Sequence, residues 1–232
     1  MTDHFIEVED GEKVAATYEE ADSEKCLFIC HGFGGNKERQ QDYIEPAVRN
    51  GFNAVTLDFR GNGESDGDFI EQDLSSRIED LKAAVKYFDP EEVYLFGTSF
   101  GGKVVFHAAP ELKPEAVVGK APVTYNDIMS KFREVIEEKG EFEYIPGKPI
   151  DERFYQDMEK YDFPETASKI KCPVAIFHGA ADTTVHPENS FEAAQEIDTD
   201  VMVQKFEGEK HSFSEEGKKK LLEGMFNWLN SL

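Results

Sequence analysis

Cysteine is scarce in this chain: three among 232 residues, an odd number, at Cys26, Cys30 and Cys172, each in or beside an apolar run. That pattern excludes a disulfide framework, and the three are expected as reduced core thiols in a cytoplasmic protein. Long apolar stretches are missing as well. No run approaches the roughly 20 residues needed to cross a bilayer, and the start, Met1-Thr2-Asp3-His4-Phe5-Ile6-Glu7, has neither the basic region nor the apolar core of a secretory leader. Basic residues are the third shortage, 25 against 48 acidic, for a net charge of -23. Such a surface repels nucleic acid and anionic membranes, so neither is expected as a partner. The acidic excess is spread along the chain, which suits a solvated shell better than a disordered tail. A salt-rich cytoplasm would screen its self-repulsion; the nineteen lysines among the 25 basic residues argue against an extreme halophile. With no metal-ligand spacing and no dinucleotide fingerprint, no cofactor is expected.

What the chain does have is Phe96-Gly97-Thr98-Ser99-Phe100-Gly101-Gly102, preceded by the strand-like Glu92-Val93-Tyr94-Leu95 and followed by the helix-like Lys103-Val104-Val105-Phe106-His107-Ala108-Ala109. The stretch fits G-x-S-x-G. A serine at such a strand-to-helix turn is forced into a sparsely populated backbone region at a cost of roughly 1–3 kcal/mol, so the residues two positions away on either side must be small, as Gly97 and Gly101 are. The turn presents the Ser99 hydroxyl at the C-terminal edge of the sheet, and the Phe100 N–H, opening the helix, points where an oxyanion would form. A glycine-rich turn with a chance serine is the competing explanation.

Around this turn the chain alternates strands and helices. Asp10-Gly11 between His4-to-Val8 and Lys13-to-Tyr18 signals an opening hairpin. Continuous apolar runs at Lys25-to-Cys30, Asn53-to-Asp58, Ala116-to-Lys120, Pro173-to-Phe177 and Asp200-to-Phe206 read as buried strands. Helices are expected around Arg39 to Asn50, over Ser76 to Phe88 up to Asp89-Pro90, over Pro187 to Ile197, and at the C-terminal end, where Leu221, Leu222, Met225, Phe226, Trp228 and Leu229 give an amphipathic pattern. The fold class is therefore α/β, a mostly parallel sheet covered by helices on both faces. Thr124 to Glu165 breaks the rhythm. These 42 residues hold eight of the 28 aromatics, which divides the chain into a core of 1–123 and 166–232 and an inserted cap at 124–165, whose rings either line a pocket or pack the cap itself.

A serine nucleophile needs a base, and the base an orienting group. Of six histidines, His211 alone follows the last strand, on a loop returning to the C-terminal sheet edge. Asp182 lies just past the end of its strand and is the natural orienter; Asp198 and Asp200 are rivals, but they precede a strand and belong at the opposite edge.

In the chain order Ser99, Asp182, His211 the sequence resembles the α/β-hydrolases over nearly its whole length. The resemblance implies that the His31-Gly32-Phe33-Gly34-Gly35 turn supplies a second oxyanion N–H, at Phe33, beside that of Phe100. It also gives Arg60-Gly61-Asn62-Gly63-Glu64-Ser65-Asp66-Gly67 a structural role. Within the superfamily, His31-to-Lys37 and the short aromatic insertion resemble the cinnamoyl and feruloyl esterases and their serine-aminopeptidase-like relatives, although Thr98 stands where those usually carry histidine. The implied activity is hydrolysis of small carboxylic esters, small-molecule substrates with aromatic or medium apolar acyl groups, through an acyl-enzyme. A peptidase, amidase or thioesterase could use the same three residues, and a binding protein on this fold is the alternative of another class. Oligomeric state is not legible.

Overall fold

The computed structural model describes residues 1–8, 11–130 and 132–232. The opening hairpin is present: β1 (Thr2–Glu7) pairs antiparallel with β2 (Lys13–Glu19), from Thr2↔Tyr18 to Glu7↔Lys13. Gly11 takes φ 80° there, and Asp10, the other half of the expected turn, lies outside the described residues. Further strands are β3 (Lys25–Cys30), β4 (Asn53–Leu57), β5 (Glu92–Thr98), β6 (Ala116–Lys120), β7 (Glu141–Ile145), β8 (Lys148–Asp151), β9 (Val174–Gly179) and β10 (Val201–Phe206). Among the described residues the main sheet has eight strands in the order β1-β2-β4-β3-β5-β6-β9-β10, parallel from β4 to β10, while β7 and β8 form a separate hairpin.

The apolar runs are continuous because both faces of the sheet are covered. In β3, Cys26, Phe28 and Cys30 enter one core layer with Leu74, Ile78 and Leu81 of α2 (Leu74–Phe88) and Val104, Val105 and Ala108 of α3 (Phe100–Leu112). Leu27 and Ile29 enter the other layer with Ile44 and Ala47 of α1 (Ile44–Arg49) and Leu221, Met225 and Phe226 of α9 (Glu215–Leu229). Cys26 and Cys30 are buried thiols as expected; Cys172 is only partly buried.

Two helix boundaries differ from expectation for local reasons. α2 begins two residues early, because Asp73 and Ser76 form a capping box, the Asp73 carboxylate accepting from the Ser76 N–H at 2.8 Å and the Ser76 hydroxyl from the Asp73 N–H at 2.9 Å. The segment from Arg39 to Asn50 is split into a 3-10 helix over Lys37–Tyr43 and then α1. Pro46 has no N–H to give to a continuous helix, and the split leaves it in the first turn of α1, where that donor would be unpaired anyway.

Between β6 and β9 lie α4 (Asp127–Ser130), α5 (Arg133–Lys139), the β7–β8 hairpin, α6 (Glu152–Met158) and α7 (Phe163–Ala167). The segment is fastened to the rest by polar as well as apolar contacts. The buried Asp157 carboxylate accepts from the Ser75 N–H at 2.8 Å and the Ser75 hydroxyl at 2.6 Å, pinning α6 to the start of α2. Where β6 hands over to this segment, the fully buried Lys103 ammonium donates to the Thr124 carbonyl at 2.7 Å. Burial pushes the Lys103 pKa down to about 7, against the smaller upward pull of Asp127 and Asp162.

This lysine couples stability to pH. A folded-state pKa near 7 against about 10.4 unfolded means that the unfolded chain binds the extra proton between those values, so the Lys103 contribution becomes more favourable as pH rises from about 7 to about 10. Lys103→Met removes that dependence. Its stability relative to the unsubstituted protein, followed by urea unfolding, should be most favourable near pH 6 and fall as pH rises toward 10; a pH-independent difference would contradict the buried charge.

Candidate active site

Parallel pairing brings the C-terminal ends of β3, β5, β6 and β9 to one edge, with Cys30 opposite Gly97, Thr98 opposite Lys120, and Lys120 opposite Phe177. Ser99, between β5 and α3, sits at φ 53°, ψ -117°, a conformation that costs a non-glycine residue about 1–3 kcal/mol. The turn can be this tight only without side chains around it. A Cβ on Gly97 would lie 2.2 Å from the Gly101 carbonyl oxygen, and one on Gly101 would lie 2.4 Å from that of Cys30. The Ser99 backbone is held by its neighbours, its N–H donating to the Lys120 carbonyl at 2.9 Å and its carbonyl accepting from Val123 at 3.0 Å.

The structure brings Ser99, His211 and Asp182 into one hydrogen-bonded chain, 3.0 Å from the Ser99 Oγ to the His211 Nε2 and 2.7 Å from the His211 Nδ1 to the Asp182 Oδ2. The buried Asp182 Oδ1 accepts from the Thr184 and Val185 N–H groups at 2.8 and 3.0 Å. Burial alone would raise its pKa, but hydrogen bonds from His178 and His211, the latter's charge and the Thr184 N–H outweigh it and hold the carboxyl below the usual carboxylate range. An ionised Asp182 can only accept, so the His211 proton sits on Nδ1 and Nε2 is left to accept from the Ser99 hydroxyl. Asp198 and Asp200 take no part in this chain.

The loop bearing His211 is fastened at three points. Ala181 N–H donates to the Glu209 carbonyl at 2.8 Å, the Glu209 carboxylate accepts from the Ser214 N–H and hydroxyl, both at 2.6 Å, and the Lys120 ammonium donates to the His211 carbonyl at 3.0 Å. Lys120 also lies 4.9 Å from the Phe213 ring centroid, and burial, with the charge of Lys218, pushes its pKa down to about 8.

The Phe33 and Phe100 N–H groups, the two expected oxyanion donors, are given to no protein acceptor among the described residues. Their rings lie 5.5 Å apart, and beneath them the buried Arg77 guanidinium sits 5.6 Å from the Phe33 and 5.5 Å from the Phe100 ring centroid. Burial lowers the Arg77 pKa to about 10, and its Nη2 has no partner among the described residues. His31 sets the turn. Burial lowers its pKa to about 3, and the neutral ring donates from Nδ1 to the Gly32 carbonyl at 2.8 Å while Nε2 accepts from the Phe59 N–H at 3.2 Å. The Arg60-to-Gly67 loop is structural. Arg60 donates from its backbone N–H and Nε to Asp80 at 2.8 and 2.6 Å, and the Ser65 hydroxyl donates to the Asp58 carbonyl at 2.7 Å and accepts from the Ala15 N–H at 2.8 Å.

Outside Ser99 a cleft of about 470 Å³ is lined by Phe33, Arg39, Gln40, Lys120, Tyr144, Ile145, Thr184, His211 and Ser212, among others. Tyr144 and Ile145 come from the inserted segment. Its other rings mostly pack: Phe154 against Phe33 and Phe100 at 5.5 and 5.8 Å, Phe163 against Phe106 at 5.6 Å, and Phe132 stacked on Phe142 at 4.6 Å. Sequence reasoning missed the supporting side chains His31, Arg77, Lys120 and His178. His178 is fully buried, within 3.2 Å of the Asp182 Oδ2 and 2.9 Å of the Val185 carbonyl through Nε2, with Nδ1 accepting from Ser190 at 2.6 Å. For His31, Lys120 and His178 the signal was position at a strand end, whereas Arg77 lies in the first turns of α2; what each contacts was not readable.

Sheet order, strained serine turn and flanking helices together define an α/β-hydrolase. The chain belongs to the prolyl oligopeptidase family, whose profile matches residues 40–232. Among curated relatives it is 35% identical over 107 residues to the quorum-quenching protein AidA of Acinetobacter baumannii, covering 42% of this chain and 35% of that protein. It is 28% identical over 170 residues to the mitochondrial palmitoyl-protein thioesterase ABHD10 of Bos taurus, covering 65% and 55%. The chain thus spans about a third to just over half the length of these relatives. Among solved structures, Est1E from Butyrivibrio proteoclasticus with bound ferulic acid superposes with a TM-score of 0.85 at 21% identity over 98% of both chains. The mouse α/β-hydrolase domain-containing protein 10 gives 0.86 at 20% identity over 100% of this chain and 99% of its own. These two likenesses are of fold.

The close approach at Gly101 is testable. With backbone oxygens of Cys30 and His31 2.4 and 2.5 Å from a new Cβ, Gly101→Ala should lower stability by about 1–3 kcal/mol, the usual cost of overpacking. An unchanged urea midpoint would mean that the elbow is looser than described.

Proposed function

We propose that the protein is a serine hydrolase of small carboxylic esters with aromatic or medium apolar acyl groups, acting through an acyl-enzyme. The observation that carries this reading is the chain from the Ser99 Oγ through His211 to Asp182, at 3.0 and 2.7 Å, beside two unclaimed N–H groups. In the proposed reaction the Ser99 Oγ attacks the ester carbonyl as the His211 Nε2 takes its proton. Asp182 keeps the other imidazole proton on Nδ1 and stabilises the imidazolium. The Phe33 and Phe100 N–H groups receive the oxyanion. Collapse of the tetrahedral intermediate breaks the bond to the alkoxy oxygen, which leaves as the alcohol with the proton from His211. Water, deprotonated by the same nitrogen, then releases the acid and frees Ser99.

The acyl preference rests on the apolar side chains of Phe33, Tyr144 and Ile145 in the cleft, each Å² of substrate removed from water contributing about 25 cal/mol. A second reading, thioester hydrolysis, draws on the likeness to the palmitoyl-protein thioesterase over 65% of the chain; the family equally keeps peptide or amide cleavage in view. Hydrolysis rates on matched aryl ester, alkyl ester, thioester and amide substrates decide between them.

A fluorophosphonate probe should label the protein once, at Ser99, and Ser99→Ala should lose both labelling and hydrolysis; labelling at another serine would remove the assignment. Asp182→Asn should keep the far-UV circular dichroism yet lower kcat on the order of 10⁴-fold, as when the third member of a Ser-His-Asp set loses its charge. If Asp198→Asn or Asp200→Asn has that effect instead, the orienting group is wrong.

A further inference from the structure

The cleft outside Ser99 has the opposite charge from the molecule that carries it. Acidic residues outnumber basic ones 48 to 25 over the chain. Among the described residues lining the cleft, however, there is no aspartate or glutamate, while Arg39 and Lys120 both contribute to it. An even spread of charge would give a lining richer in carboxylates than in cations.

The two cations differ in availability. Lys120 is buried and already committed to the His211 carbonyl at 3.0 Å. Arg39, on the 3-10 helix over Lys37–Tyr43, is exposed and forms no ion pair among the described residues. The adjacent acids are engaged elsewhere. Asp58 accepts from the Lys37 and Glu64 N–H groups at 2.6 and 3.0 Å, and Lys37 gathers Glu38 and Glu64. Of the cations in this region, Lys37 is paired with Glu38, Asp58 and Glu64, whereas Arg39 has no acidic partner among the described residues. The Lys148 pKa is lowered first by burial and then by the charges of Arg77 and Arg39, against the upward pull of Asp58, and an anion arriving beside Arg39 would be attracted by these cations. A guanidinium presents paired N–H donors in the geometry of a carboxylate, so an unpaired arginine at a cleft mouth is a receptor for that group.

Building on the serine-esterase reading above, we propose that Arg39 selects esters carrying a free carboxylate on one arm, with Phe33, Tyr144 and Ile145 taking the apolar part. The -23 net charge then acts as a long-range filter against polyanions, while the local cation captures a substrate with a single negative group.

The test is a matched pair of aryl esters differing only by a remote carboxylate, assayed from low to molar salt with the unsubstituted protein, Arg39→Gln and Arg39→Lys. At low salt the unsubstituted protein should show the lower KM for the carboxylate ester, by on the order of fivefold for an exposed pairing, and added salt should erase the difference. Arg39→Gln should reverse the preference, because only the global negative field then acts on the anion, and Arg39→Lys should keep part of it. A neutral ester preferred by the unsubstituted protein at low salt, or a preference unchanged in Arg39→Gln, would overturn the role of Arg39 while leaving ester hydrolysis intact. Turnover of neither ester would overturn the esterase reading and this inference together.

Discussion

Everything at the candidate site depends on a serine backbone held at φ 53°, ψ -117°. Nothing in the local chain favours that conformation; it persists because its surroundings leave no alternative. The N–H of Ser99 is tied to β6 and its carbonyl to Val123, while Gly97 and Gly101 let strand and helix approach to distances that any side chain would forbid. The same parallel register that fixes this turn aligns the ends of β3, β6 and β9. The His31 turn, Lys120 and Asp182 therefore converge on Ser99 without a long search through loop conformations. In this sense the sheet is the preorganising device, and the site follows from where its strands end.

Charge around the site is arranged by burial more than by surface pairing. Exposed ion pairs such as Arg49–Glu45 contribute little in water. The buried groups matter more, since each must find partners or lose its charge. His31 is kept neutral and becomes a two-bond bracket for the turn that carries Phe33. Arg77 retains a guanidinium against three aromatic faces, those of Phe33, Phe69 and Phe100, an arrangement that orders through their rings both residues proposed to bind the oxyanion. Lys120 uses its ammonium to fasten the carbonyl of His211. The molecule carries a large acidic excess overall, yet Arg77 and Lys120 place basic groups close to the Ser99 turn.

Much of this was legible in the sequence because it is carried by spacing. Glycines at 97 and 101 around Ser99, a histidine after the last strand and an aspartate just past its neighbour strand need only the α/β alternation to be brought together. The helix starts were less legible, since a capping box moves α2 to Leu74 and Pro46 divides the segment before it. The role of the aromatic insertion was legible only in outline. Its composition is the same whether rings line a cleft or pack against the core, and most of them pack. Least legible were His31, Arg77, Lys120 and His178, whose importance lies in what they touch across the sheet edge.

The histidine at position 178 shows how far the hydrogen-bond network of the candidate site reaches behind Ser99 and His211. Asp182 accepts from Thr184, Val185, His211 and, at 3.2 Å, His178, so its two oxygens are nearly saturated in a site almost closed to water. These donors favour the ionised form, which is why the carboxyl is depressed despite its burial. An acid whose folded pKa lies below its unfolded value of about 3.9 contributes stability that is fully present above that value and is lost as pH falls through the folded one. The contribution is therefore intact throughout the neutral range in which His211 would act as a base in the proposed reaction, and it disappears only under conditions far too acidic for that chemistry. One set of hydrogen bonds thus fixes the tautomer of His211 and stabilises the loop after β9, so the orienting role proposed for Asp182 and its stabilising one share a single physical origin.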